Sequence, residues 1–445
     1  MLPLTLPPEL TAVILALASA LHARVGPRLL PLFAGAFFAR GRRTVTSWLR
    51  AAAIGPAFRL YYYALGSLGR KVEHLAGILL RHLLRRCLAD GPLVFALDDS
   101  PTKRYGPWVE GAGIHHNPTP GPAGQKFLYG HVWVTLAWAL EHAAWGPVAL
   151  PLLARLYVRQ KDLGQLPPWY QWTFRTKLEL AADLIRWLAG WLGLEGRPVW
   201  LVVDGAYAKR PFLKVARELG MVAFSRLRKD AALYSLPEVP PEGRRGPGQP
   251  RKYGTQAYSL AKRAGQGRGW QTVEVEQYRQ RLVKTYKSFP ATWRPAGGAI
   301  GVVLVREEGG EWVPFFCTDP GMPVATILKV VADRGTIEQA FHDVKEVEGA
   351  GQQQLRNVWA NVGAFHLCLW AYTLVAYWAW DRPQGRLSDR AASPWDDPGR
   401  RPSHADRRKA LQRHVLRQEF LGGGRGRPVP RRIRALLRVV LALAG

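Results

Sequence analysis

The chain has 445 residues, too many for one simple core, and its 48% hydrophobic content with 18 Trp excludes global disorder. Its 62 Lys and Arg against 33 Asp and Glu leave a formal charge of +29, which calls for a polyanionic partner, nucleic acid first because the basic residues run the whole length. The most apolar windows, LTAVILALASAL (10–21) and AYTLVAYWAW (371–380), fall short of the ~20 residues that cross a bilayer, and Cys87, Cys317 and Cys368 have neither disulfide-framework nor zinc-ribbon spacing, which fits a reducing cytosol.

Residues 9–90 carry apolar side chains at three- and four-residue spacing and read as helices. Basic clusters at 39–50, 68–75 and 79–88 interrupt them. A helical DNA-binding domain over 1–90 is expected, the alternative being a helical cap with solvated basic faces. From 93 the pattern turns to strands. LVFALDD (93–99), FLYGHVWVTLAWAL (127–140) and GPVALPLLARLYV (146–158) suit a three-stranded meander.

PPWYQWTFRTKLELAADLIRWLAGWL (167–192) opens with Pro and reads as one helix. RPVWLVVDG follows as a fully apolar strand, then a short helix at 211–220 and a strand at 221–228. A helix crossing over to a buried strand implies parallel pairing with the first strand, which sets the two Asp-bearing strand ends side by side. The core's first part is thus expected over 91–235.

Residues 236–320 read as a basic loop followed by a β-rich insertion, with period-two runs at 272–287, 299–308 and 311–319. GRRGPGQPRKYG (243–254) resembles a minor-groove hook. A second core part follows over 321–381, with helices at 323–347 and 353–381. Residues 382–445 read as a mobile link and a basic amphipathic helix at 430–445. The fold class expected is α/β: a mixed sheet flanked by helices, with an N-terminal helical domain and a β-rich insertion.

Three separated acidic positions stand out: Asp98 with Asp99 beside it, Asp204, and Glu338 in DRGTIEQAFHDVKE. Carboxylates brought from several elements are what two Mg²⁺ ions need to sit over one phosphate. On a helix, Arg334, Glu338 and Lys345 share one face, which sets cations for phosphate around a carboxylate for metal. The bland reading is an intrahelical ion pair on a solvated face. Paired His115 and His116 lack a third ligand at metal spacing. Trp108, in the loop after LDDSPTKRYG, is a candidate for stacking on a base. No GxxxxGK[ST], HExxH or GxSxG is present.

These motifs resemble those of insertion-sequence DDE transposases, and the resemblance implies a ribonuclease H-like catalytic domain interrupted by a β-rich insertion. The likeness rests on LDDSPTKRYG (97–106), VVDGAYAKRPF (202–212) and RGTIEQAFHDVKE (334–346), and covers about 93 to 380. Arg334, Glu338 and Lys345 match the family's tyrosine–arginine–glutamate–lysine signature, with Val331 at the tyrosine position. The resemblance implies that Asp98, Asp204 and Glu338 hold two Mg²⁺, for which Mn²⁺ substitutes, with Asp99 the alternate to Asp98. Arg334, Lys345, Lys103 and Arg104 are then phosphate contacts. It further implies cleavage at transposon-end inverted repeats and joining to target DNA by a homodimer on double-stranded DNA, in a prokaryotic cytoplasm at the nucleoid and without membrane. Two alternatives stay open: an inactive DNA-binding descendant, and a ribonuclease H-like nuclease that cuts without joining.

Overall fold

The computed structural model describes residues 4–87, 90–117, 124–193, 196–238, 251–277, 279–389, 395–397 and 399–422. The chain opens with α1 (Pro8–Ser19), α2 (Leu29–Phe38), α3 (Val45–Ala51), α4 (Arg59–Gly69) and α5 (Val72–Cys87). In α2 the run LLPLFAGAFF has no polar face, and Phe33 and Phe37 are fully buried. Thr44 caps α3 by accepting from the Ser47 amide, so the basic stretch before it must turn outward as a loop.

A sheet follows, built from β1 (Leu93–Lys103), β2 (Gly113–His116), β3 (Phe127–His142) and β4 (Gly146–Tyr157), then, across α6 (Lys177–Leu192), β5 (Val199–Val203), α7 (Arg210–Glu218) and β6 (Val222–Arg226). β1 pairs antiparallel with β3, and β3 antiparallel with β4. On its other edge β1 pairs parallel with β5, and β5 parallel with β6. The order β4-β3-β1-β5-β6, three antiparallel strands then two parallel ones joined through helices, is the ribonuclease H-like arrangement. β5, and β1 over Leu93–Leu97, are apolar along both faces because helices cover both.

The helix expected from Pro167 starts ten residues later. Thr176 and Glu179 form a reciprocal capping box, and the segment before it is a short 3₁₀ turn at Pro168–Tyr170 ending with Gln171 in the left-handed region (φ 50°).

The insertion comprises β7 (Leu233–Tyr234), β8 (Ala257–Tyr258), α8 (Leu260–Gly265), β9 (Gln271–Gln277), β10 (Gln280–Trp293), β11 (Gly298–Arg306) and β12 (Trp312–Cys317). The run expected as one strand over 272–287 is a hairpin, reversed near Arg279 at φ 65°. β12 pairs with β6, so the insertion prolongs the β1–β6 sheet into one sheet of 12 strands among the described residues. Most of the hook motif, 243–250, lies outside the described residues.

Next come α9 (Val324–Asp333) and α10 (Gly335–Glu346), where one helix was expected; the break falls at Arg334 before a glycine. α11 (Val358–Ala379) is long and apolar enough to cross a membrane, yet it is buried inside the protein nearly throughout. It crosses α4 at close range, with Gly69 facing the Trp359 carbonyl and Gly363 facing the Leu65 carbonyl.

The stretch expected as a link over 382–410 holds α12 (Gln384–Leu387) and the start of α13 (His404–Gly422). α13 is fastened rather than loose. Arg408 Nη2 donates to the carbonyls of Ala36 (2.9 Å) and Ala39 (3.2 Å), and buried His404 pairs with buried Glu348 at 2.7 Å. The helix expected at 430–445 lies outside the described residues.

Candidate active site

Successive side chains on a strand point to opposite faces, so Asp98 and Asp99 of β1 cannot share one. The β1–β5 register ends with Leu97 beside Val203, which sets Asp204, just past the end of β5, beside Asp98; β1 does not close at Asp98 as expected but runs on to Lys103 against β3. Asp98 faces α10: its Oδ2 accepts from Arg334 Nη1 at 2.9 Å, and its Oδ1 accepts from the Asp99 amide at 2.8 Å. The other arm of the same guanidinium, Nη2, meets Glu338 Oε1 at 2.8 Å. One arginine therefore bridges the strand-borne and helix-borne acids. Asp204 turns its Oδ2 onto the Ala206 amide at 2.9 Å, which tightens the loop after β5.

Burial pushes the Asp98 carboxyl up to about 7. The neighbouring Asp99 and Asp204 act in the same direction, while the Asp99 amide and Arg334 oppose it. The donor set, three carboxylates, suits a hard cation. With Arg334 drawn between Asp98 and Glu338, no three acidic, His or Cys side chains among the described residues are gathered closely enough to hold a metal ion.

Asp99 lines the same cleft but is taken up by other partners. Its Oδ1 accepts from the Tyr207 hydroxyl at 2.7 Å and its Oδ2 meets Lys177 Nζ at 2.7 Å. Burial first, then the Asp99 charge, raises the Tyr207 hydroxyl far above its ordinary value, so it stays a donor. Asp99 thereby pins the loop that follows Asp204 to β1.

All four acids line an open cleft of about 1780 Å³. Lys103 and Lys345 stand on its wall, and burial lowers the Lys345 ammonium from its ordinary value. Gly41 and Arg42, from the loop between α2 and α3, complete the rim. That loop is bolted to the turn after α10, with the Arg43 amide donating to Gln352 Oε1 at 2.7 Å and Gln353 Nε2 to the Arg43 carbonyl at 2.8 Å.

Arg104 departs from expectation. It is buried, its Nε donating to His131 Nδ1 at 3.0 Å and its Nη1 to the carbonyls of Gly351 (2.8 Å) and Gln353 (3.0 Å). A guanidinium so fixed is a brace between β1 and the turn after α10, not a surface phosphate contact. His115 sits on β2 with its ring held neutral, pushed down to about 4 by burial, then by Arg159 and Lys177. Of the residues that sequence reasoning passed over, Arg42 and Tyr207 lie in quoted motifs, whereas Lys177 carries no local signal.

Fold and cleft thus define an α/β protein of ribonuclease H-like topology with carboxylates where β1 and β5 cease to pair. A family model described as DDE superfamily endonuclease matches residues 17–292, more than half of the chain. The chain belongs to the DDE superfamily endonucleases. The matched stretch contains Asp98, Asp99 and Asp204 and stops before Glu338. Among solved structures, a piggyBac transposase synaptic complex with hairpin DNA, seen by cryo-electron microscopy, is similar over 92% of this chain and 75% of its own, at 8% identity and a TM-score of 0.41. None of the curated proteins compared matches the chain.

Proposed function

We propose that the protein is a DNA transposase that cuts at the inverted repeats bounding its element and joins the freed ends to target DNA. One observation carries the reading. Asp98, Asp204 and Glu338 open into one cleft of an endonuclease-family chain, two of them linked by a single arginine. In this reading Asp98, Asp204 and Glu338 would hold two Mg²⁺, or Mn²⁺ in their place. When bound, such a pair supplies Lewis-acid activation of the attacking water or 3′-hydroxyl and stabilises the leaving oxygen.

The remaining work falls to the chain's own side chains. Arg334 balances Asp98 and Glu338 and would be the nearest guanidinium to a phosphate oxygen brought to these acids. Lys345 and Lys103 hold neighbouring phosphates from the cleft wall. Asp99 keeps the Asp204 loop seated through Tyr207 and Lys177, and is a positioning residue. Ser100 is buried on the strand, and no covalent enzyme intermediate is invoked.

The test is strand cleavage of duplexes carrying the repeats that flank the reading frame, with Mg²⁺ and without. Asp204→Ala is expected to abolish cleavage while leaving DNA binding in place; undiminished cleavage by this variant overturns the assignment. Pre-cut ends offered with a supercoiled target then separate transposase from nuclease, since only the former yields joined products.

A further inference from the structure

The row of side chains that crosses the sheet at Asp98 continues onto the neighbouring strands. β1 and β3 pair Asp98 with Thr135, and β3 and β4 pair Thr135 with Ala154. Residues directly opposite one another share a face of the sheet, so the Thr135 side chain stands on the face that carries Asp98. α10 packs on both β1 and β3, and the side chains it buries, Ile337, Ala340, Phe341 and Val344, are all apolar. Thr135 is 0% exposed, and its Oγ1 has no hydrogen-bond partner among the described residues.

The other buried threonines among those residues are all satisfied. Thr102, on the same face of β1, accepts from Trp133 Nε1 at 2.9 Å. Thr292 donates to the Ser235 carbonyl at 2.9 Å and Thr373 to the Pro151 carbonyl at 2.8 Å. A hydroxyl stripped of water and left unbonded lowers stability, and valine has the same shape without it. Retaining the hydroxyl here is explained by a partner that it takes up in another state of the site. The row leaves one candidate. Ala154 carries no acceptor on its side chain, whereas Asp98 carries a carboxylate. The Asp98 Oδ1 accepts from the Asp99 amide and its Oδ2 from Arg334, and each oxygen can take a further donor. Facing β-carbons lie about 4.5–5.5 Å apart, so one rotamer change brings the hydroxyl to the carboxylate.

We propose that Thr135 is a positioning residue for Asp98, its hydroxyl being the donor that fixes the carboxylate when a divalent cation is seated there. The inference rests on the reading of Asp98 as a metal ligand and adds to it the side chain that aims that ligand. Carboxylates that hold metals are commonly held in turn by such a donor. Thr135 touches neither substrate nor cation and acts through Asp98 alone.

The experiment uses the full-length protein without DNA, with Mn²⁺ alone as the probe. Electron paramagnetic resonance at pH 8 counts free Mn²⁺, and urea unfolding of the metal-free protein reads stability. Thr135→Val is expected to move the two in opposite senses: the unfolding midpoint rises, because an unbonded hydroxyl is gone, and Mn²⁺ affinity falls roughly ten- to hundredfold. Thr135→Ser keeps the donor and should bind Mn²⁺ as the wild type does, although its midpoint drops with the lost methyl group. A purely structural threonine would not separate the two readouts in this way. If the wild type binds no Mn²⁺, or Asp98→Ala binds it equally well, the metal reading of Asp98 falls and Thr135 with it. If binding depends on Asp98 but Thr135→Val binds Mn²⁺ undiminished, or unfolds at lower urea than the wild type, the role of Thr135 alone is overturned.

Discussion

Burial holds the Asp98 carboxyl at about 7, so between the ordinary aspartate range and that value the folded chain keeps a proton that the unfolded chain has released. Stability linked to this group is full in acid and is lost as pH rises through about 7. Asp98→Asn cannot ionise, and is expected to raise the Tm of metal-free protein at pH 8 while changing it little at pH 3. Equal shifts at both pH values would refute the buried-carboxyl account. Arg104 and Lys103 make a second contrast one residue apart. Arg104→Ala orphans His131 and two carbonyls, and should lower stability in urea by roughly 1–3 kcal/mol. Lys103→Ala, at an exposed position, should stay within about 0.5 kcal/mol. The order reverses for DNA, where loss of Lys103 should weaken binding and flatten its salt dependence by about one unit.

At the scale of elements, the crossing of α4 and α11 inverts an ordinary rule. Gly to Ala inside a helix usually gains ~0.5–1 kcal/mol. At Gly363, however, an added Cβ would stand 2.0 Å from the Leu65 carbonyl oxygen, and at Gly69 1.9 Å from that of Trp359. Backbone on the far side cannot swing aside, so Gly363→Ala should cost roughly 1–3 kcal/mol, read by denaturant unfolding. A gain in stability would mean that the helices sit farther apart. The same scale shows what was legible. β5 and the first half of β1 announce themselves because a strand segment buried on both faces must be apolar throughout, and the Asp residues that follow mark where the apolar run meets the cleft. The start of α6 was misplaced because Pro167 looks like a first helical residue; the Thr176–Glu179 box was the stronger signal. Arg104 was read as surface because nothing local reveals that the turn after α10 folds over it. The contacts of Lys177 and the docking of α13 are likewise tertiary.

For the whole molecule, +29 spread along the chain sets the expected response to salt. Each phosphate neutralised adds about −0.9 to the slope of log affinity against log salt, so duplex binding should fall steeply between low and physiological ionic strength. A flat response would remove the backbone-contact account of the charge excess. We further expect two copies per pair of transposon ends, to be read as mass on DNA in mass photometry; a single copy on paired ends would refute it. The β6–β12 pairing has a mechanical consequence. Because a hydrogen-bonded ladder runs without a seam from the acid-bearing strands into the inserted hairpins, these two regions have no hinge along the sheet. Cargo gripped at the far hairpins would be presented at a fixed reach and angle, and twist applied there would arrive at Asp204 as torque, not be lost in a flexible joint.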